Sequence, residues 1–560
     1  MRILFVYPNL NTQMGFNQGL AMISAFLKRA GHETRLVNLN ENLPPVPTRE
    51  QILAEIREWQ PAVLAASTLS QQYAEARELV AWLRTRYAEL GETPPVFVVG
   101  GVHPSMVPEQ VMADGVWDHV AVGECEDAMV DLVQRIEAGD DAEISSCANF
   151  LSWKNNQRPA HSADRTQDAW RRNPVRPFPN ISIMPMADYE LFDTQRILDS
   201  KNGWAGLITS RGCPYRCTYC LNHEVIDTYR SDLDAPVRKL NFFRFRHPEE
   251  VLEEMRFLLN RYERVNTFIM DDDLFTQNVE HAVAFCDAYE KSGIGVPFVV
   301  NAHVKQLDER VANALKSAGC TILKMGIESG SPRVRKEVLQ RPMSDTDIFE
   351  TVRLAEAAGL HSSGFVMVGL PGETHAERWE TIDLLARLEI GRFRSSMFYP
   401  FPGTGAFKLS VDGGYIDPEK VERLTDFTES SCLDFGAKEN LFIDKLAVCM
   451  PWFVNARLAI ARGVDPKTLP AVARYTPLMD QVLVMNEAEW KAFKPKVRAI
   501  DKRAAAAAAA AGEVHYAIKY NAFMGVRDDY YLAEERAAAA SKIDTDAIAK
   551  EWTTAAAPPK

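Results

Sequence analysis

Short apolar runs alternate with amphipathic stretches over roughly the first 140 positions. Arg2–Tyr7 has the composition of a strand, and Leu20–Arg29 carries apolar positions at helical spacing and stops at Gly31. Thr34–Leu39, Ala62–Leu69, Val96–Val99 and His119–Val122 read as further strands, with helices over Gln51–Trp59 and Ala74–Leu90. This alternation predicts an α/β fold with a parallel, doubly wound, Rossmann-like (flavodoxin-like) sheet in residues 1–140. Ligands of such sheets bind beyond the carboxyl ends of the strands. Those ends are Pro8–Gly15, Ser67–Ser70, Gly100–Pro104 and Gly123–Glu126.

Residues 141–200 are less periodic and rich in Pro, Asn, Arg and Asp, which reads as a linker. A second series then begins. Its strands are expected at Gly206–Ser210, Thr267–Met270, Phe298–Asn301, Ile322–Ile327, Gly364–Val368 and Ser396–Tyr399. Helical spacing falls between them at Pro248–Arg261, Val279–Lys291, Asp308–Ser317, Asp345–Ala358 and His375–Leu388. Six βα units over residues 201–408 predict a partial (β/α)6 barrel with its chemistry at the strand C-termini. Residues 409–560 read as mostly helical. The alanine runs Ala504–Ala511 and Ala537–Ala540 favour helix or form a low-complexity hinge, and Thr553–Lys560 reads as a frayed tail.

Composition narrows the classes of function. A formal net charge of −13 argues against a nucleic-acid partner, although the basic stretch Arg238–Arg246 leaves room for a local patch. No stretch of apolar residues is long enough for a membrane span. The N-terminus reads as a first strand and not as a signal peptide, so a cytoplasmic location is expected. The nine cysteines are odd in number and scattered, except for one tight group. That pattern suggests reduced thiols and a metal site.

The group is Ser210-Arg-Gly-Cys213-Pro-Tyr-Arg-Cys217-Thr-Tyr219-Cys220, directly after an expected strand. Thiolates are the usual ligands of iron–sulfur clusters. Three cysteines on a cubane leave one iron open to a bidentate small molecule. The alternative is a structural zinc site with His223 as fourth ligand, for which this spacing is a poor match.

The motif resembles the signature of the radical S-adenosylmethionine (SAM) superfamily. The resemblance implies a [4Fe-4S] cluster on Cys213, Cys217 and Cys220, whose open iron holds SAM. Reductive cleavage then gives methionine and a 5′-deoxyadenosyl radical. It also implies a low-potential electron donor such as flavodoxin or ferredoxin. Tyr219 matches the aromatic beside the adenine. Asp271-Asp272-Asp273 stands where the family often has Gly-Gly-Glu, so Asp271 or Asp272 is expected to meet the SAM amino group. N-capping is the plainer use for these aspartates. Glu328 matches the ribose-contacting position, Gly369 in Gly364-Phe-Val-Met-Val-Gly369-Leu-Pro-Gly372-Glu373 the glycine motif near the adenine, and Tyr399 in Tyr399-Pro-Phe-Pro the end of the sixth strand.

Upstream, Ser67-Thr68-Leu69 and Gly100-Gly101 resemble the Ser-x-Leu and Gly-Gly segments of cobalamin-binding domains, which flank the dimethylbenzimidazole tail. Gly-Gly-Val-His103-Pro and Gly123-Glu124-Cys-Glu-Asp resemble the cobalamin-dependent radical SAM subgroup. The loop after the first strand, Asn9-Leu-Asn11-Thr-Gln-Met-Gly15, offers no histidine to cobalt. Cobalamin is therefore expected base-off and histidine-off. The resemblance thus assigns Ser67, Leu69, Gly100, Gly101, His103, Gly123 and Glu124 to cobalamin, with His103 equally readable as hydrogen-bonded scaffolding. A generic flavodoxin-like domain would also carry a Gly-Gly turn. Cys125, Cys147, Cys286, Cys320, Cys432 and Cys449 are expected to pack as small hydrophobes.

The implied activity is methylation of an unactivated carbon in a small-molecule substrate. The alternatives are a non-methylating enzyme of the same layout, like the anaerobic magnesium-protoporphyrin monomethyl ester cyclase or a rearrangement enzyme, and a cobalamin-binding sensor with an inactive barrel.

Overall fold

The first apolar runs become β1 (Arg2–Tyr7), β2 (Glu33–Asn38), β3 (Val63–Ser67), β4 (Val96–Gly100) and β5 (His119–Ala121). They pair in parallel in the order β2-β1-β3-β4-β5. Strand order reverses between β1 and β3, which is the switch point where such sheets open a ligand crevice. Helices Gln18–Arg29, Arg49–Trp59, Ser70–Leu90 and Glu126–Ala138 connect the strands, so the stretches 3–6 of β1, 63–66 of β3 and 97–99 of β4 are apolar and buried. The structure is a computed structural model and describes residues 1–10, 15–159, 164–416, 431–519 and 524–527.

Residues 141–200, expected to be a linker, extend this sheet. β6 (Phe150–Trp153) pairs antiparallel with β5, and β7 (Trp170–Arg172) pairs antiparallel with β6. All four residues of β6 are buried, so the strand shows no polar/apolar alternation to read. β7 has only three residues, too few to carry a period.

The chain divides into two units. Unit 1 comprises Met1–Leu274, Ala288–Pro297 and Phe401–Phe407; unit 2 comprises Phe275–Asp287, Phe298–Pro400 and the chain from Lys408. The division therefore runs through the second βα series.

Within unit 1, that series contributes β8 (Trp204–Leu207), then a ribbon of β9 (Ser210–Arg211) and β10 (Arg244–Phe245), then β11 (Thr267–Met270). β8 and β11 run parallel, with Leu207 opposite Met270. The core under the seven-stranded sheet continues through Ile226, Tyr229, Leu240 and Phe242. These residues follow the cysteine motif in sequence, so motif and sheet rest on one apolar body.

Within unit 2, β12 (Phe298–Ala302), β13 (Cys320–Glu328), β14 (His361–Val368) and β15 (Arg392–Met397) are parallel neighbours in that order. β16 (Tyr516–Lys519) and β17 (Met524–Arg527) add antiparallel beyond β15, in a region expected to be mostly helical. Helices over Ala437–Arg462, Pro470–Val484, Glu487–Phe493 and Val497–Ala510 meet that expectation. Most of Ala504–Ala511 is helical, with Ala504 and Ala508 buried one turn apart. Ala537–Ala540, Thr553–Lys560 and loop residues 11–14 lie outside the described residues. Among the described residues, no helix is long and apolar enough to cross a membrane.

Candidate active site

The strand preceding the cysteines is held at its exit by the aspartate run after β11. Asp271 N–H donates to Leu207 O at 2.8 Å. Asp272 is buried and accepts from Thr209 N–H at 2.6 Å, from the Thr209 hydroxyl and from the Ser210 hydroxyl at 2.9 Å. Asp273 Oδ2 accepts from Gly212 N–H at 3.1 Å. Gly212 has φ of +96°, and a Cβ there would lie 2.5 Å from Phe242 O. Only glycine makes this turn into Cys213 without displacing backbone.

Cys217 is buried, while Cys213 and Cys220 are partly exposed. Burial pushes the Cys220 thiol up to about 12, and Asp273, Cys217 and Cys213 act in the same direction. The three sulfurs are therefore near enough to influence one another. Among the described residues, no three His, Cys, Asp or Glu side chains converge as ligands of one metal ion would. His223 Nε2 lies 2.8 Å from its neighbour Glu224. A cubane binds each thiolate at a different iron and needs no such convergence. Three thiols in one loop at Cys-x3-Cys-x2-Cys spacing fit that group.

The other expected SAM residues take different positions. Asp271 lines a cavity of unit 1 at the strand ends of the seven-stranded sheet, where Gly206 makes room for it: a Cβ on Gly206 would lie 2.3 Å from Asp271 Oδ2. Asp272, expected as an alternative partner for the SAM amino group, instead spends its carboxylate on Thr209 and Ser210. Tyr219 is partly exposed. In unit 2, Glu328 ends β13, Gly369 follows β14 and Tyr399 lies just beyond β15, so the three share one sheet edge. Glu328 holds φ of +68° beside a register shift, a strained backbone of the kind that gathers at functional sites. Gly369, at φ of +79°, donates its N–H to Glu373 Oε2 at 2.9 Å.

This cavity has a volume of about 520 Å³. Six of the seven expected cobalamin residues line it: Ser67, Leu69, Gly100, Gly101, Gly123 and Glu124. Ser210, Arg211 and Gly212 line it from the cysteine side. Small residues, Ala65, Ala66 and Ala121 among them, line it beside the glycines at the strand ends. A Cβ on Gly100 would lie 3.2 Å from the Ala121 methyl, and one on Gly101 would lie 2.7 Å from Thr68 O. Thr68 Oγ1 is buried at this lining without a hydrogen-bond partner. A slot of small residues with an orphaned hydroxyl fits a flat ring carrying polar atoms.

His103 is the exception. Its Nδ1 lies 3.1 Å from the Ser70 hydroxyl and its ring packs 4.5 Å from that of Tyr73. Burial, with the charge of Arg77 adding, lowers it to about 4. It is a neutral scaffold residue outside the cavity lining. The six remaining cysteines are all buried, as expected.

Sequence reasoning missed Arg211 and Arg244. Both pair with Glu124 (Arg211 Nη1 at 2.7 Å, Arg244 Nη1 at 2.8 Å), and Arg211 also meets Glu126 at 2.8 Å. Burial works to raise the Glu124 carboxyl, but the two guanidiniums outweigh it and hold it below its ordinary range. The basic stretch Arg238–Arg246 is accordingly no open patch at this point. Arg244 faces Glu124 and Arg246 faces Glu254.

The family model described as B12 binding domain matches residues 12–133, and that of the Radical SAM superfamily matches residues 207–385. The chain is a radical SAM enzyme with a B12-binding domain. The seven-stranded sheet carries the B12-binding match, and the second βα series is the enzyme's partial barrel. An uncharacterised methyltransferase of Pyrococcus horikoshii is 26% identical to the enzyme over 73% of this chain and 83% of its own. The anaerobic magnesium-protoporphyrin IX monomethyl ester cyclase of Cereibacter sphaeroides is 23% identical over 78% of this chain and 68% of its own. Among solved structures, the radical SAM methyltransferase TsrM of Kitasatospora setae, with cobalamin and a [4Fe-4S] cluster bound, shares the fold. Its TM-score is 0.56 at 18% identity, over 74% of this chain and 76% of that one.

Proposed function

We propose that the enzyme uses a [4Fe-4S] cluster, SAM and a base-off, histidine-off cobalamin to methylate an unactivated carbon of a small-molecule substrate. The observation that carries this reading is a single cavity in unit 1, bounded by the strand ends of the B12-binding domain and by the loop leading into Cys213. When bound, the cluster and SAM supply a carbon-centred radical and the cobalamin supplies a transferable methyl group.

The chain's own residues bind and orient. Cys213, Cys217 and Cys220 hold the cluster. Asp271 offers a carboxylate to an ammonium group within the cavity. Tyr219, Glu328, Gly369 and Tyr399 serve the adenine and ribose of SAM. Ser67 and Thr68 offer hydroxyls to the cobalamin tail, and Gly100, Gly101 and Gly123 keep space for it. Residues 1–140 act as the cobalamin-binding part, 201–408 as the radical-generating part and 409–560 as an accessory helical region. A flavodoxin or ferredoxin supplies the electron. The similarity to a methyltransferase over most of both chains favours methyl transfer, while that to the cyclase keeps oxidative ring closure as the second reading.

Anaerobic reconstitution with cobalamin, SAM and a low-potential reductant, followed by product analysis, tests the proposal. A methylated product accompanied by equal amounts of S-adenosylhomocysteine and 5′-deoxyadenosine supports it. 5′-Deoxyadenosine alone favours the cyclase-like reading. Neither product, with wild type and Cys217→Ala behaving alike, refutes both.

A further inference from the structure

The ribbon of β9 and β10 places Arg211 directly opposite Arg244. Directly opposed residues of an antiparallel pair project on the same face, where two like charges repel. Both side chains are largely withdrawn from water, with exposures of 18% for Arg211 and 2% for Arg244. Solvent therefore does little to screen them. The compensation comes from the turn after β5: Glu124 lies between the guanidiniums and accepts from both, and Glu126 takes a second bond from Arg211. Two positive and two negative charges balance within one cluster.

The place of this cluster gives it meaning. Arg211 precedes Cys213 by two residues, across the Gly212 turn that fits only glycine. On the other side, Gly123 N–H donates to the Ser105 hydroxyl and Glu124 N–H donates to the Tyr229 hydroxyl, both at 3.0 Å. A Cβ on Gly123 would lie 2.5 Å from that hydroxyl. The turn is thus pinned to the helix that follows the cysteine motif. Phe178 stacks on Tyr229 at 3.7 Å, with Arg244 over its ring at 4.8 Å. All four charged residues line the cavity.

We infer that Arg211, Arg244, Glu124 and Glu126 form a charged latch that fixes the cysteine loop against the B12-binding domain, with Arg211 its positioning residue. The latch holds the cluster side and the cobalamin side of the cavity in one register, and it binds neither group itself. This inference rests on the proposed two-cofactor site. It gives Glu124 a role in geometry, where the sequence resemblance pointed to cobalamin contact.

The test uses the full chain reconstituted with iron, sulfide and cobalamin, and compares wild type with Arg211→Gln, Arg211→Lys and Glu126→Gln. Electron paramagnetic resonance reads the effect of the reduced cluster on the relaxation of cob(II)alamin, and chromatography reads the SAM products. Misplacement of reacting groups by about 1 Å costs up to about 100-fold in rate. Arg211→Gln is therefore expected to retain iron and cobalamin and to keep forming 5′-deoxyadenosine. Its cob(II)alamin relaxation should lose the cluster's influence, and S-adenosylhomocysteine from cobalamin methylation should fall at least about tenfold. Arg211→Lys should recover part of both signals. If Arg211→Gln does not fold, Glu126→Gln, which keeps the Arg211–Glu124 pair, is read in the same way with a smaller shift.

Unchanged relaxation and unchanged product balance in these variants overturn the latch. Loss of iron and cobalamin together, without recovery in Arg211→Lys, also overturns it, because that marks a merely structural role. Wild-type protein that takes up no cobalamin refutes the underlying site reading, and the latch falls with it.

Discussion

Replacing Asp272 by alanine loosens the cysteine loop without touching a cysteine. Its carboxylate accepts three hydrogen bonds, from Thr209 N–H, Thr209 Oγ1 and Ser210 Oγ, while only 1% exposed. Bonds to an ionised group contribute about 1.5–3 kcal/mol each, so the gross loss for three is about 4.5–9 kcal/mol. Burial opposes this. It raises the Asp272 carboxyl from 3.8 to about 6, partly offset by those same bonds. At ~1.4 kcal/mol per unit, the alanine variant escapes a charge-burial cost of about 3 kcal/mol at neutral pH. The net destabilisation is then about 2–6 kcal/mol.

Asp272→Asn keeps an acceptor for Thr209 N–H and carries no charge to bury, so it should lie within ~1 kcal/mol of wild type at pH 7.5. Calorimetry of cluster-free protein and iron content after reconstitution read both variants. The alanine variant should melt several degrees lower and take up less iron, and the asparagine variant should match wild type in both. The acid is raised in the fold, so the folded state keeps its proton to higher pH. Its contribution to stability is greatest below about 3.8 and declines as pH rises from there to about 6. Asp272→Asn should remove that slope and leave SAM affinity within about twofold of wild type, since a group that touches no ligand adds little to binding. An asparagine variant that melts like wild type but binds SAM tenfold more weakly would show the carboxylate facing SAM, and would refute the loop-fastening assignment.

Other residues give shorter tests. Gly101→Ala sets a Cβ 2.7 Å from Thr68 O at φ of +98°, so it should cost at least ~1–3 kcal/mol and lower the melting midpoint. His103→Ala should leave the visible spectrum and the affinity of bound cobalamin unchanged, because His103 is fastened to Ser70 outside the cavity; a shifted spectrum would assign it to the cofactor. Burial lowers His103 and His119 to about 4 and His303 to about 3. Each contributes stability that is present above about 6.5 and lost as pH falls toward its folded value. Asp272 and Glu373, both raised by burial, act the other way, but Glu124, Asp131 and Glu377, lowered by their arginine partners, act with the histidines, so calorimetry of the cluster-free protein from pH 7 to pH 4 should show a falling midpoint.

The two βα series were legible because their apolar runs are separated by well-patterned helices; most strand ends fell within a residue or two of expectation, while β8 ended three residues early and β14 and β15 began three and four residues early. β6, β7, β16 and β17 were not, since each has three or four residues and no room for a period. The cysteine group stood out by residue type and spacing, and Ser67, Gly100 and Gly101 by their resemblance to cobalamin-binding domains, whereas Ala65, Ala66 and Ala121 were not singled out. The divided roles of Asp271, Asp272 and Asp273 were not, because three identical side chains in a row differ only in the direction each faces. Arg211 and Arg244 also escaped, being 33 positions apart in sequence. Their meeting with Glu124 depends on the antiparallel ribbon that sets them opposite each other.

The central claim is that three cysteines hold a cluster with one iron left for SAM. Electron paramagnetic resonance of the reconstituted, reduced enzyme, recorded with and without SAM, tests it most directly. The expected result is a [4Fe-4S] signal that changes on adding SAM and disappears in Cys213→Ala, Cys217→Ala and Cys220→Ala. A cluster signal that SAM leaves unaltered, or one that survives loss of these cysteines, would contradict it.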